Sequence, residues 1–171
     1  DQLNEVSFVD DYILICYLLG NDFLPHFPSI DLRREGMELV ISKYTKVFCN
    51  YEYTSIIYRE DGEIKFNNEM FSDLIAALAS DEYAFFVDRL RMFMNREKKY
   101  AKCHEVEDYK IEIWKVENLI GEKIEDTIRL GIGEESEWKY RYYAHMGSEE
   151  HQDEFKQELC KNYLEGIAWS A

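Results

Sequence analysis

A short stretch near the start of the chain carries the residue types best suited to chemistry. Residues 20–26 read GNDFLPH, which places the Asp22 carboxylate directly after an apolar run that ends on glycine. A glycine stop of this kind would hold Asp22 rigidly at the rim of a core. There the carboxylate either accepts backbone hydrogen bonds or coordinates a cation, because an unpaired buried charge is costly. Spacing alone leaves two roles open: Asp22 as a metal ligand, or Asp22 as the cap of the next turn beside a packing His26.

The charge balance limits what such residues could do alone. The 171 residues include 35 acidic and 20 basic side chains, a formal charge of −15, and both halves of the chain are acidic. Phosphate neutralisation by basic groups supplies most nucleic-acid affinity, so nucleic-acid binding by this chain alone is disfavoured. Docking of an acidic piece against a basic body in a larger enzyme stays open. Six basic residues between 89 and 102 are read as a solvated helix face rather than an RNA track.

The elements that must position these residues are mostly helices. Apolar side chains surround residues 8–19 almost completely, so we expect a first helix that starts at Ser7, is buried on most faces and stops at Gly20. Asp31 is expected to cap a second helix that reaches Tyr44. Asn67 or Asn68, Ser80 and Ser148 are expected to cap later helices, and residues 105–130 are expected to form one or two more.

Residues 55–66 show the one convincing β pattern. Two short runs, 55–58 and 63–66, flank Asp61-Gly62, a dipeptide typical of tight hairpin turns. The predicted fold class is therefore mainly α: a helical domain with one small β-hairpin. The aromatic block at 138–143 is expected to pack in a core, with Arg141 in a structural ion pair.

Cysteine usage and hydropathy indicate the class of protein. The four cysteines are scattered without a CxxC pair, which predicts neither a zinc site nor a disulfide framework and favours a reducing, intracellular compartment, cytoplasmic or nuclear. The longest apolar run is too short to span a bilayer, so no membrane partner is expected. The chain lacks an initiator Met and opens directly into a helix, which indicates a fragment of a longer protein.

Several blocks together resemble the XRN family of 5′→3′ exoribonucleases. GNDFLPH and the apolar helix before it are similar to the family's pattern, as are residues 28–36 and the segment that follows Asp61-Gly62. WKYRYY at 138–143 and NYLEGIAW at 162–169 resemble two further family blocks. The blocks occur in family order along nearly the whole chain, although residues 103–137 have no clear counterpart.

The resemblance implies a division of the chain and a site. Residues 1–30 would be the end of the nuclease active-site region, and residues 31–171 a helical domain, truncated at its C-terminus, that packs on an upstream α/β nuclease core absent from this chain. The family binds two divalent ions, Mg²⁺ or Mn²⁺, with clustered carboxylates, and Asp22 matches the last of these. Two such ions activate the attacking water and stabilise the leaving oxygen. One carboxylate cannot hold both ions, so the chain alone is expected to be inactive.

The resemblance also implies the substrate and a binding residue. Family members degrade single-stranded RNA that carries a 5′-monophosphate, and Trp169 matches a tryptophan that stacks on RNA bases. The alternative for Trp169 is a buried anchor of the last helix. Two other functions stay open for the chain: a non-catalytic helical interaction module, and a fragment of a flap-type DNA nuclease.

Overall fold

The computed structural model describes residues 5–119, 126–148, 150 and 152–170. These residues form seven α-helices, one short 3₁₀ turn and a two-stranded antiparallel sheet. The fold class predicted from the sequence, mainly α with one small β-hairpin, is confirmed. In chain order the elements are α1 (Glu5–Leu18), the 3₁₀ turn (Leu32–Arg34), α2 (Gly36–Asn50), β1 (Ile57–Glu60), β2 (Glu63–Phe66), α3 (Asn68–Ala79), α4 (Glu82–Tyr100), α5 (Asp108–Asn118), α6 (Glu135–His145) and α7 (Gln152–Ser170).

Helix α1 differs from its prediction in where it starts and in how much of it is buried. Its described part spans Glu5–Leu18, so Ser7 lies within the helix and not at its start. One face is buried in the core through Leu14, Ile15 and Leu18, whereas the opposite face is exposed. The apolar residues encircle the axis, but the described residues of this chain cover only one side. The large side chains left exposed by 42–54% are Phe8, Val9, Tyr12 and Ile13.

The predicted stop at Gly20 is confirmed. Gly20 has φ +90°, a left-handed conformation that glycine adopts without strain. A Cβ atom at this position would lie 2.8 Å from the backbone nitrogen of His26. Glycine therefore allows both the reversal after α1 and the close return of the following loop.

Asp31 caps a shorter element than predicted. Its carboxylate accepts a hydrogen bond from the Arg33 backbone N–H at 3.0 Å, which caps the 3₁₀ turn. Glu35 then takes a positive φ of 57°, and α2 begins only at Gly36. The helix predicted to run continuously from Asp31 is thus split in two by one left-handed residue.

The β-hairpin is confirmed in its turn and its second strand, whereas the first strand begins at Ile57, two residues later than predicted. Ile57 pairs with Phe66 and Glu60 with Glu63. Asp61 and Gly62 both have positive φ, 52° and 82°, as type I′ turns require.

The predicted helix caps gave mixed results. The Asn67 side chain accepts from the Met70 N–H at 3.0 Å and caps α3, as predicted. The Ser80 hydroxyl instead donates to the Ala77 carbonyl at the end of α3, so its predicted role as cap of the next helix is wrong. Helix α7 begins at Gln152, four residues beyond Ser148, the predicted cap. Residues 105–130 contribute α5, and their segment 120–125 lies outside the described residues.

The chain divides into two compact units. The first unit is Asp1–Glu82 with Asp153–Ala171, and the second is Tyr83–Gln152. The core of the first unit draws on α1, α2, the hairpin, α3 and Ile167 of α7. The core of the second unit contains Phe86, Leu130 and Trp138. Residues on both sides of position 30 share the first core, and the boundary implied there by the family resemblance stays a prediction. No helix among the described residues is both long enough and apolar enough to cross a bilayer.

A buried carboxylate ties three elements of the first unit together. Asp11 of α1 is fully buried, and it accepts from the Tyr44 hydroxyl of α2 at 2.5 Å and from the N–H groups of Ile56 and Ile57 at 2.8 and 2.7 Å. Burial raises the pKa of Asp11, although its three donors oppose that shift. Burial and the neighbouring Asp11 also raise the pKa of the Tyr44 hydroxyl. Because α1 leads into GNDFLPH, Asp11 fixes the helix from which the candidate site is built.

Candidate functional site

The segment after α1, residues 20–28, forms a tight loop that we call the acid loop. The Asn21 side-chain oxygen accepts from the N–H groups of Phe23 and Leu24, both at 2.8 Å, and the Asn21 N–H donates to the Leu24 carbonyl at 2.9 Å. Asn side chains commonly close turns in this way. The capping role considered for Asp22 therefore belongs to Asn21.

Asp22 lies exposed at the tip of this closed loop. Water solvates the carboxylate, so its charge needs no partner within the chain. His26 is also exposed and its ring Nδ1 lies 2.8 Å from the Phe27 carbonyl oxygen, so the packing role considered for it is wrong. An exposed carboxylate on a well-defined loop fits one ligand of a divalent ion.

The residues described here do not make a complete metal site. Mg²⁺ takes six oxygen ligands and usually combines one or two carboxylates with waters and substrate phosphates. Within residues 5–119, 126–148, 150 and 152–170, no group of three or more His, Cys, Asp or Glu side chains is arranged to hold a metal ion. Asp22 is therefore an exposed carboxylate that is not part of such a group among these residues.

Trp169 lies on α7 and is 74% exposed, which rules out the buried-anchor alternative. The neighbouring Ile167 is the anchor, since it is only 7% exposed and belongs to the core. The indole packs edge to face against Phe23, with ring centroids 5.4 Å apart and an interplanar angle of 83°. Phe23 is itself 72% exposed and directly follows Asp22. Trp169 thus contacts the acid loop through Phe23, the residue that directly follows Asp22.

Other contacts hold α7 near the acid loop and the end of α1. The Tyr163 hydroxyl donates to the Pro25 carbonyl at 3.2 Å, and its ring lies 5.7 Å from that of Phe27. The Tyr17 hydroxyl of α1 donates to the Ser170 carbonyl at 2.6 Å. Sequence reasoning missed Phe23 and these tyrosines, because their partners lie about 140 to 150 residues away along the chain. The NYLEGIAW block did point to the right stretch of α7.

In the second unit, Trp138 of the aromatic block 138–143 packs in the core, as predicted, and Tyr142 packs against it, whereas Tyr140 is 49% exposed. Trp138 is buried against Phe86, with ring centroids 5.3 Å apart. Arg141 does not form the expected ion pair in the described part of the chain. Its guanidinium donates to the backbone carbonyls of Ile128, Arg129 and Ile132 and so holds the preceding loop.

The basic stretch of α4 and its continuation lies at the surface. Arg91, Lys98, Lys99 and Lys102 are exposed, and Arg91 pairs with Asp88 of the same helix at 2.7 Å. These four residues are exposed, as a solvated face and an RNA track would both require, so the choice of a solvated face stays a prediction.

Comparison with known proteins gives one family and several relatives. A family model described as "Xrn1 helical domain" matches residues 2–120. The chain is similar to 5′-3′ exoribonuclease 2 of Arabidopsis thaliana, with 48% identity over 40 residues, which is 23% of this chain and 4% of that protein. It is 32% identical over 78 residues to 5′-3′ exoribonuclease 2 of Aspergillus oryzae, covering 46% of this chain and 7% of that protein. A 5′-3′ exoribonuclease 2 homolog of Drosophila melanogaster is 28% identical over 111 residues, covering 61% of this chain and 12% of the relative. The matched regions thus span only a small part of each relative.

Proposed function

The chain belongs to the Xrn1 helical domain family, and on that premise we propose that it is part of a metal-dependent 5′→3′ exoribonuclease. Its substrate in this proposal is single-stranded RNA with a 5′-monophosphate. The observation that carries the proposal is the exposed Asp22 carboxylate beside the exposed pair of Phe23 and Trp169. A carboxylate on a loop and an exposed ring on the helix that contacts this loop suit an enzyme that must hold a base while cleaving the adjoining backbone.

Each of these residues has a distinct role in the proposal. Two Mg²⁺ or Mn²⁺ ions would supply the chemistry by activating water and stabilising the leaving oxygen. Asp22 contributes one carboxylate toward that centre. Trp169 stacks on a base near the 5′ end, an interaction that contributes about 1–3 kcal/mol and tolerates any base. Stacking without base readout suits an exonuclease that degrades RNA of any sequence.

The remaining metal ligands and the basic phosphate pocket would come from an upstream α/β nuclease core in the parent protein. The exposed apolar face of α1 supports this, because Phe8, Val9, Tyr12 and Ile13 form a contiguous surface at helical spacing. The net charge of −15 also favours a partner region that supplies positive charge. We therefore expect the 171-residue chain alone to be inactive as a nuclease, and the parent to act in the cytoplasm or the nucleus.

The decisive experiment changes Asp22 in the longer parent enzyme. Asp22→Ala should lower the rate of degradation of 5′-phosphorylated single-stranded RNA by at least a hundredfold, while the thermal unfolding midpoint stays within about 2 °C, because an exposed carboxylate contributes little to stability. The control is Glu38→Gln, which removes the charge of another exposed carboxylate, on α2, and should leave the rate unchanged. A fully active Asp22→Ala enzyme would refute the assignment.

A non-catalytic helical interaction module is the second candidate, favoured by the acidic composition. The two functions differ in what precedes Asp1 in the parent gene. A cluster of Asp and Glu residues in an α/β region supports the exoribonuclease, and its absence supports the module. The flap-type DNA nuclease is disfavoured by the family match. If the parent cleaved flap DNA in preference to single-stranded RNA, the result would favour the flap-type DNA nuclease.

A further inference from the structure

Helix α7 and the acid loop meet at a glycine. A Cβ atom on Gly166 would lie 2.6 Å from Cδ2 of Leu24, closer than real Cβ atoms approach a neighbour. Leu24 is buried in the core of the first unit, where it is 9% exposed, and Phe27 of the same loop packs against that core. Glycine is a poor residue for a helix interior, so its presence at this contact is notable. The missing side chain at 166 gives Leu24 the space it occupies.

The other contacts between α7 and the acid loop lie on either side of this one. Tyr163 donates to the Pro25 carbonyl one turn before Gly166, and Trp169 meets Phe23 one turn after it. Positions 163, 166 and 169–170 are three to four residues apart and therefore share one helix face. Three successive turns of α7 thus contact consecutive parts of the loop that carries Asp22.

We propose that α7 is the element that positions Asp22, with Gly166 as the positioning residue. What this positioning means for metal binding rests on the function proposed above. Asp22 and Phe23 are consecutive, and the Phe23 ring packs edge to face against the Trp169 ring. The contact between Leu24 and Gly166 therefore holds the Asp22 carboxylate and the Trp169 ring in a fixed relative position. A side chain at 166 must displace the Leu24 side chain, and because Leu24 is buried in the core we expect the loop to shift with it.

The first test measures backbone hydrogen exchange in the 171-residue chain. Gly166→Ala should speed exchange at least tenfold at the Asn21 and Leu24 amides, whose hydrogen bonds close the acid loop, and should leave the amides of α3 unchanged. Without the contact, alanine would only strengthen the helix and slow exchange along α7. Equal acceleration at loop and α3 amides would indicate general destabilisation and overturn the proposal, as would no change in the loop.

Two further variants isolate the contact. Ala168→Gly weakens α7 at an exposed position away from Leu24 and should not change exchange in the loop. Adding Gly166→Ala to Leu24→Ala should cause less than a twofold change, because the atom that the new Cβ meets is gone. A tenfold effect of Gly166→Ala in both backgrounds would contradict the proposal.

The last test links the loop to the metal in the longer parent protein. Gly166→Ala should weaken Mn²⁺ binding measured by calorimetry at least fivefold, and Tyr163→Phe, which removes one hydrogen bond without adding volume, should weaken it about twofold. Loosening of the loop with unchanged Mn²⁺ affinity would overturn the positioning role. If Asp22→Ala alone leaves Mn²⁺ affinity and activity intact, the proposed function fails, while the exchange experiment still decides whether α7 holds the loop.

Discussion

Two carboxylates close together in the sequence have different environments and therefore suit different roles. Asp11 and Asp22 lie on and just after the same helix, yet one is fully buried with three hydrogen-bond donors and the other is exposed. A buried carboxylate must be satisfied locally, which suits a structural role. An exposed one on a closed loop keeps its oxygens available for a ligand.

We expect Asp11→Asn to destabilise the first unit by about 2–3 kcal/mol. The amide offers only one acceptor oxygen where the carboxylate has two, so at least one of the three buried donors loses its partner. Urea unfolding measures the change. The control is Asp73→Asn, which removes the charge from the acceptor of an exposed hydrogen bond of the same type, donated by the Tyr51 hydroxyl at 2.7 Å, and should lower the free energy of unfolding by less than about 1 kcal/mol. Equal losses in the two variants would show that burial of Asp11 contributes nothing.

The pKa of Asp11 predicts how this difference depends on pH. Burial raises the folded-state pKa above the ordinary value of 3.8, so between the unfolded and folded pKa values the folded state binds more protons. The contribution of Asp11 is therefore fully present below the unfolded pKa and decreases as pH rises through the folded pKa. The stability difference between the native chain and Asp11→Asn should be larger at pH 4 than at pH 7 in urea titrations. A difference that grows toward pH 7 would mean that the hydrogen bonds lower the pKa of Asp11 instead.

At the level of elements, the sequence predicted what local chemistry determines. Asp61-Gly62 identified the hairpin and Asn67 the start of α3, because each signal acts within three or four residues. GNDFLPH likewise identified the acid loop. The exposure of one face of α1 could not be predicted, because apolar side chains lie on all sides of the helix and do not reveal which face the rest of the chain covers.

Long-range contacts of the candidate site were also beyond prediction. The role of Asp11 depends on donors 33 to 46 residues away. Phe23 and Trp169 are 146 positions apart, and nothing near either residue signals the other. Helix packing, rather than local propensity, brings such residues together.

A glycine contact in the second unit gives a prediction at this scale. A Cβ atom on Gly131 would lie 2.5 Å from the Phe86 carbonyl oxygen of α4, which is backbone and cannot rotate away. Gly131→Ala should therefore lower the free energy of unfolding by about 2 kcal/mol or more. The loss in the free energy of unfolding can be measured by urea unfolding followed by near-UV circular dichroism, because Trp138 packs on Phe86 and contributes to that signal. The exposed substitution Ser136→Ala should stay within about 0.5 kcal/mol. A Gly131→Ala chain as stable as the native one would show that the loop and α4 separate readily.

For the molecule as a whole, charge is the dominant constraint on function. The first unit, which carries Asp22 and Trp169, contains twenty acidic and eight basic side chains, a formal charge of −12. The second unit contains fifteen acidic and twelve basic, a charge of −3. The candidate site thus lies on the unit that repels phosphate more strongly. Stacking by Trp169 must work against this repulsion unless another region supplies positive charge.

This repulsion predicts an unusual salt dependence for the isolated chain. Proteins that neutralise phosphates bind RNA more weakly as salt rises, because they release condensed counterions. Here added salt screens the repulsion, so weak binding of a short oligouridylate should strengthen or stay constant between 20 and 200 mM NaCl. Quenching of Trp fluorescence measures it, and subtracting the signal of Trp169→Phe removes the contributions of Trp114 and Trp138. In the longer parent, RNA affinity should decrease as the salt concentration rises, because the proposed upstream core supplies the basic groups that neutralise phosphates. A steep loss of affinity with salt in the isolated chain would instead reveal a phosphate-binding surface within these 171 residues and would favour the basic face of α4 as an RNA track.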